Sequence, residues 1–490
     1  MSEQLPLVRL VAVNPDAFSL GLAYLDATLT THLSQQVRVE QAVYDLARVH
    51  SREVDLAGLA ADIVTDGPVL VGFSWYCWNH RLIQDLAALV HGLRPECQIV
   101  VGGPETGTIR DAELAIFPLG TVFVIGEGEG TLTALVSELL RTGRTDVELP
   151  AGTARRDESG LTRAPRRAAA LAVSEIVSPV LAGTVRDAAS EWLPSYATTR
   201  GCVFKCSFCA WQDGFREREF DLDVVFKELD VLATRNYERI WITDTIFGRN
   251  EARALAIVER LQHWPRDTRF AVELHAKYLS ARLAEELAKV QLAWAAIGIQ
   301  SLAPDVLRLT RRSPHTTQLL EAVGRMYQAC SDRSVIHLDI IFGLPHQTVS
   351  DCFETVDLLL ETFPEATVFT GMLQVIPGTA VEALRDQPGW VVLPPEGDFE
   401  VAATPDLCHA DMSRVRDLAA GLDAYTLGCG PRPGSTRIRA ADLEELGRSL
   451  RHTAFGAHPI YGRRERFTAA QVTAWARAGE HVTGNTSWRH

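Results

Sequence analysis

Short apolar runs alternate with segments of helical period along most of this chain, and no other feature constrains its fold as strongly. "LVRLVAVNP" reads as a buried strand and "LGLAYLDATLTTHL" as a helix of period near 3.6. "VRVEQAVYD", "PVLVGFSW", "CQIVVGGPETG" and "GTVFVIGEGEG" continue the strands, with helical stretches between them and "TLTALVSELLRTG" closing the series. Strands this continuously apolar are covered on both faces, so residues 1–145 are expected to form a doubly wound parallel α/β sheet. Its ligand crevice should lie at the strands' C-terminal ends, which carry Asn14, Ser74, Gly102, Gly103, Gly107, Gly126 and Gly128.

Residues 146–192 lose periodicity and read as a linker. A second series starts at Tyr196, with strands at "YATTRG", "RIWITD", "RFAVELH", "AAIGIQ", "VIHLDIIFG" and "TVFTGMLQVI". Six strands are too few to close an eight-stranded barrel. A partial (βα)6 barrel over residues 193–385 is expected, with active residues at the C-terminal strand ends. Residues 386–490 are broken by "PPEGD" and "GCGPRPGS" and read as a C-terminal cap.

Composition narrows the setting. At 47% hydrophobic residues the chain can pack a core, and its N-terminus lacks the basic segment and cleavage site of a secretory signal. No apolar run reaches membrane-span length, so a soluble, cytoplasmic protein with reduced thiols is expected. A net charge of −14 argues against a nucleic-acid partner and suits a cationic small molecule.

Nine cysteines are present, and six of them, 77, 97, 330, 352, 408 and 429, stand singly as small buried hydrophobes would. The other three, Cys202, Cys206 and Cys209, are clustered in "RGCVFKCSFCAWQ" just after the first barrel strand. Structural zinc needs a fourth ligand, usually from a second paired unit, and none follows. A four-iron, four-sulfur (4Fe-4S) cluster on three thiolates leaves one iron open for a chelating substrate or cofactor. Arg200 and Lys205 flank the loop and would offset the cluster's negative charge.

The C-x3-C-x2-C spacing, with Phe208 before the last cysteine, resembles the signature of the radical S-adenosylmethionine (radical SAM) superfamily. The resemblance implies that the open iron binds the methionine moiety of SAM. An electron then splits the sulfonium to give a 5′-deoxyadenosyl radical. "WITDTIFGRN" is similar to the D-x-x-F-x-x-N pattern of the branch with a cobalamin-binding domain, through Asp244, Phe247 and Asn250. "FAVELHAKYL" offers Glu273, His275 and Lys277, where related chains more often carry arginine and aspartate at the last two places; Lys277 would serve as a point charge without the bidentate fork. The other strand ends give Gln300 and Ser301, Arg312 beyond them, Asp339 in "DIIFGLPHQT", and Pro377 in "LQVIPGTAVEAL".

The first domain resembles the cobalamin-binding domain of that branch, without the D-x-H-x-x-G motif that supplies a cobalt ligand elsewhere. Gly102 and Gly103 could admit a corrin or could be tight turns, and Trp75, Tyr76 and Trp78 could stack on a ligand or fill the crevice. Cobalamin therefore stays open at this level.

Two reactions fit. The acidic run "CAWQDGFREREFD", with Asp213 and Glu217, together with Glu273 and His275 supplies acid/base candidates. Size and acidic balance resemble the radical SAM diol dehydratases of aminoglycoside biosynthesis. That resemblance implies 3′-deoxygenation of a paromamine-like cationic aminosugar, with an electron donor and a separate reductase. The alternative is a cobalamin-dependent radical SAM C-methyltransferase on a natural-product intermediate.

Overall fold

The computed structural model describes residues 5–15, 18–50, 54–108, 116–143, 149–164, 170–185, 195–211, 216–394, 399–428 and 438–450. The chain divides into two compact units. The first is Met1–Gly201 with Ala210–Tyr237, and the second is Cys202–Cys209 with Glu238–His490.

The first unit is built on a seven-stranded sheet of β1 (Leu7–Asn14), β2 (Arg38–Asp45), β3 (Leu70–Ser74), β4 (Gln98–Gly102), β5 (Val122–Val124), β6 (Thr153–Asp157) and β7 (Gly160–Arg163). They run in the order β2-β1-β3-β4-β5-β6-β7, with the first five parallel. Strand alternation explains the two cores. Val8, Leu10 and Ala12 face helices Leu20–Leu33 and Glu129–Thr142, whereas Val11 and Val13 face helices Leu56–Val64 and His80–Leu93. Every residue of β1 is buried, as a central parallel strand requires. Ser19 and Asp55 set two of these helix starts by accepting N–H bonds from Leu22 and Gly58.

The stretch read as a linker is partly structured. β6 and β7 form a hairpin that extends the sheet antiparallel from β5. Its strands "TARRD" and "GLTR" are charged on an edge and carry no apolar run, so hydrophobic periodicity could not reveal them. The expected first barrel strand is short, β8 (Ser195–Tyr196), and belongs to the first unit. So do β9 (Thr199–Arg200) and β10 (Arg218–Glu219), which pair antiparallel.

The second unit holds β11 (Arg239–Ile242), β12 (Arg269–Leu274), β13 (Leu292–Gln300), β14 (Ile336–Phe342) and β15 (Thr367–Met372). These five are parallel neighbours in chain order. Helices intervene between successive strands, as the alternation predicts. On β14, Ile336, Leu338, Ile340 and Phe342 are buried, while His337, Asp339 and Ile341 keep partial exposure. One face is thus packed and the other keeps partial exposure.

Beyond β15, Val391–Val392 and Val401–Ala403 form a small antiparallel pair. Val401 N–H donates to Leu373 O, and Met412 reaches Gly343 at the end of β14. Helices His409–Gly428 and Ala440–Leu450 cross at two glycines. A Cβ on Gly421 would stand 1.8 Å from Leu443 O, and one on Gly447 would stand 1.7 Å from Asp417 O. Cys429 and residues 451–490 lie outside the described residues. Among the described residues, no helix is long and apolar enough to cross a membrane.

Candidate functional site

The cysteine loop is held by its own backbone. Ser207 N–H donates to Thr310 O at 3.1 Å, and Ser207 O accepts from Val381 N–H at 3.0 Å. Cys202, Cys206 and Cys209 are all free thiols. Phe204 N–H donates to Cys202 Sγ at 3.4 Å, and Arg312 Nη1 donates to Cys206 Sγ at 3.7 Å. Arg312 Nη2 also donates to Gly298 O at 2.6 Å, which ties the end of β13 to the loop. Ser207 Oγ is buried without a partner among the described residues. A buried donor, two sulfurs that accept N–H bonds and three free thiols in one short loop fit a cluster with inorganic sulfides. Among the described residues no three ligating side chains converge on a single ion; a cluster instead spreads its thiolates over separate irons.

His275 packs under this loop. Its ring lies 4.3 Å from that of Phe204 with 22° between the planes, and Tyr278 flanks both. Lys277 Nζ sits 5.9 Å from the Phe204 ring and 5.3 Å from the Tyr278 ring. His275 Nδ1 accepts the Lys277 N–H at 3.2 Å, so it caps a turn. Burial, then the charges of Arg312 and Lys277, pushes its imidazole down to about 3. His275 thus packs beneath Phe204 as a neutral imidazole.

Glu273 is placed differently. Trp241 Nε1 donates to Glu273 Oε1 at 3.1 Å, and Trp294 also donates to this carboxylate. Burial raises its pKa to about 7, against the pull of the two indoles. A carboxyl held near neutrality can keep or release a proton. Trp294, His337 and Phe369 continue an aromatic row along the same sheet face. Sequence reasoning missed Trp241, Trp294, His337 and Phe369; the signal was polar or aromatic residues at alternate positions of "RIWI", "LAWAAIGIQ" and "IHLDIIF".

The remaining strand-end residues split. Asp339 lies on the inner face, in register with Gly298 and Phe369. Gln300 has a left-handed φ of 67° at a bulge in β13. Ser301 is buried and accepts the Ala303 N–H, so it shapes a turn. Asp244 and Pro377 are buried, and Phe208 is half-buried in the loop. Phe247 is core and Asn250 caps helix Glu251–Gln262, which gives both a structural reason. Asp213 lies outside the described residues. Glu217 is half-buried in the first unit, where its Cα backs onto Gly201.

In the first unit, Arg200 does not stand free to offset a cluster. It bonds Glu129 at 2.5 Å, reaches Glu127 at 3.4 Å, and lies 4.3 Å over the Tyr24 ring. Burial opposes its charge, yet the two carboxylates outweigh it and hold the guanidinium protonated. Arg218 Nη1 also bonds Glu127, at 3.1 Å. The acidic residues of "GEGEG" are thus clamps on β9 and β10.

At the strand ends Asn79 Nδ2 donates to Val13 O and Ser74 O, bridging β1 and β3 where the sheet order reverses. Trp75 is fully buried against Phe117 and His80, so it is core and stacks on no ligand. Gly103, with φ 112°, makes room for Trp75: a Cβ there would lie 2.3 Å from Trp75 O. Gly102 O accepts the Trp75 N–H. Both glycines expected to admit a corrin are therefore explained by packing. His80 is buried on Glu105 at 2.7 Å and offers no axial ligand. Asn14 Oδ1 is buried without a partner, and Gly107 opens onto free space. An unpartnered buried oxygen and open space at the strand ends would suit a polar macrocycle.

Residues 196–359 match the Radical SAM superfamily, and residues 6–136 match the B12 binding domain. The chain thus carries a radical SAM segment and a B12-binding segment. Its cofactors are a 4Fe-4S cluster, SAM and cobalamin. It is 24% identical over 396 residues to the cobalamin-dependent radical SAM methyltransferase TokK of Streptomyces tokunonensis, covering 77% of this chain and 57% of TokK. It is 26% identical over 402 residues to the 2-(S-pantetheinyl)-carbapenam-3-carboxylate methyltransferase of Streptantibioticus cattleyicolor, with the same coverages of 77% and 57%. The chain thus spans less than two thirds of the length of these two relatives. In fold it is similar to the radical SAM methyltransferase TsrM of Kitasatospora setae with cobalamin and a 4Fe-4S cluster bound. The TM-score is 0.67 at 17% identity, covering 96% of this chain and 97% of that one.

Proposed function

We propose that this protein is a cobalamin-dependent radical SAM C-methyltransferase acting on a small natural-product intermediate. The observation that carries the reading is the sequence likeness to two such methyltransferases across 77% of the chain, through both the B12-binding and radical SAM segments. When bound, the cluster, SAM and cobalamin supply one-electron chemistry and a methyl carrier.

The chain's own residues do the rest. Cys202, Cys206 and Cys209 would hold the cluster, and Arg312 donates to the sulfur of Cys206. Glu273, kept near neutrality and fixed by two indoles, holds or accepts a proton at the substrate. A diol dehydratase needs both a base for one hydroxyl and an acid for the other. Of the four acid/base candidates, His275 is packed beneath Phe204, with its imidazole pushed down by burial.

The test uses reconstituted protein with SAM, a reductant and cobalamin, monitored by visible absorption and product mass. Methyl transfer predicts bound corrin and a substrate heavier by one CH2 unit, with S-adenosylhomocysteine formed. A product lighter by one water, formed without corrin, returns the reading to dehydration.

A further inference from the structure

The interior face of the radical SAM sheet carries an unusual charge balance. Glu273 on β12 and His337 on β14 share one register row across Ala296 of β13, and Asp339 lies two residues further along β14. Around them runs an aromatic row: Trp241 lies 6.2 Å from Trp294, Trp294 5.9 Å from His337, and His337 4.5 Å from Phe369. Trp294 and His337 are parallel within 7°. Trp241, Glu273, Trp294, His337, Asp339 and Phe369 keep partial exposure, whereas Ile240, Val272, Leu274, Ala295, Leu338 and Val368 on the opposite faces are buried.

Burying a carboxylate without a counter-charge costs several kcal/mol, and chains rarely retain one without a cause. Glu273 is held by two indole N–H groups, and among the described residues no lysine or arginine forms an ion pair with it. The cations of this unit nearest the cysteine loop are committed there: Arg312 to Cys206 and Gly298, and Lys277 to the rings of Phe204 and Tyr278. Aromatic faces attract cations, most strongly when both are out of water. An acid without a basic partner beside an aromatic wall is complementary to a positive charge that arrives with a ligand.

We propose that this face seats an ammonium group of the substrate, with Glu273 as its counter-ion and the Trp241, Trp294, His337 and Phe369 row as its wall. The proposal rests on the reading that the substrate binds inside the radical SAM sheet, and it narrows that substrate to a primary or secondary amine. Asp339, one register step along the face, is the second carboxylate an amine can reach.

The probe is 2-phenylethylamine, which joins an ammonium to a flat ring, with N-acetyl-2-phenylethylamine and 3-phenylpropionate as its neutral and anionic counterparts. Binding to cofactor-loaded protein is measured by calorimetry at pH 8. The amine is expected to bind at least tenfold more tightly than either counterpart. Glu273→Gln, checked for iron content and circular dichroism, should weaken the amine at least tenfold and leave the N-acetyl compound within twofold. Trp294→Phe should weaken the amine severalfold.

Equal affinity of the wild-type protein for the amine and its N-acetyl form overturns the proposal without recourse to any variant. Undetectable amine binding, or an unchanged affinity in folded Glu273→Gln, overturns it as well. The readout is binding and not turnover. A protein that keeps the amine preference but methylates nothing therefore counts against methyl transfer and leaves the ammonium seat standing.

Discussion

Two side chains four positions or fewer from one another can take opposite roles, and Glu273 and His275 do so. Both end the same strand and both are ionisable. Phe204, arriving from the cysteine loop, covers His275 and leaves it neutral, while two indoles hold Glu273 on the inner face. The cysteines themselves were legible because their function lies in local spacing. The partners of Glu273 were not, because Trp241 and Trp294 come from separate strands. The raised pKa has a stability consequence. An ordinary Glu titrates near 4.5, and Glu273 in the fold near 7. Between those values the unfolded chain ionises while the folded one resists, so stability falls as pH rises from about 4.5 to about 7 and is level above. Glu273→Gln should remove that fall and melt higher than wild type at pH 8, by up to about 3 kcal/mol of stability; comparing melting temperatures at pH 5 and pH 8 checks it. Arg312 carries a second prediction. An N–H donor to a cluster sulfur favours the more electron-rich, reduced state, so Arg312→Gln should lower the cluster's midpoint potential by about 60 mV. A redox titration followed by electron paramagnetic resonance reads the shift, and an unmoved potential would contradict the contact.

At the scale of elements, the apolar strands and amphipathic helices were readable because burial imposes a period on the sequence. The hairpin of β6 and β7 was not, since an edge pair with arginines on both strands shows no such period. Nor did the sequence announce why helices His409–Gly428 and Ala440–Leu450 carry Gly421 and Gly447. Their backbones approach so closely that neither position has space for a methyl group. Two effects compete in Gly421→Ala. Helix propensity favours alanine by about 1 kcal/mol, whereas a Cβ placed 1.8 Å from Leu443 O forces the helices apart. Overpacking against backbone costs about 3 kcal/mol, so the clash should win by about 2 kcal/mol. Thermal unfolding checks the sign: the variant should melt lower, and a rise in melting temperature would mean that the crossing is looser than described.

For the whole molecule, the two functional segments are not separated at a single point in the chain. The cysteine loop, Cys202–Cys209, belongs to the second unit, yet the residues on either side of it belong to the first. Chain order suggests a boundary before residue 193, but the chemistry of the first unit argues for a later one. Glu127 and Glu129 are nearly buried, and their partners are Arg200 and Arg218. Glu228 accepts from Tyr196 Oη at 2.7 Å and from Ser178 Oγ, which ties helix Leu222–Ala233 to the segment before the loop. A fragment of residues 1–195 strands Glu127 and Glu129 without their arginines, and breaking a buried pair in this way costs about 3–5 kcal/mol. A fragment of residues 1–237 keeps every one of these partners. The longer fragment should therefore unfold in a single sharp transition, and the shorter one should melt well below it or fail to fold, as followed by circular dichroism. Equal melting temperatures would show that residues 195–237 are dispensable to the B12-binding unit, and the arginine clamps would then have to matter for something other than its stability.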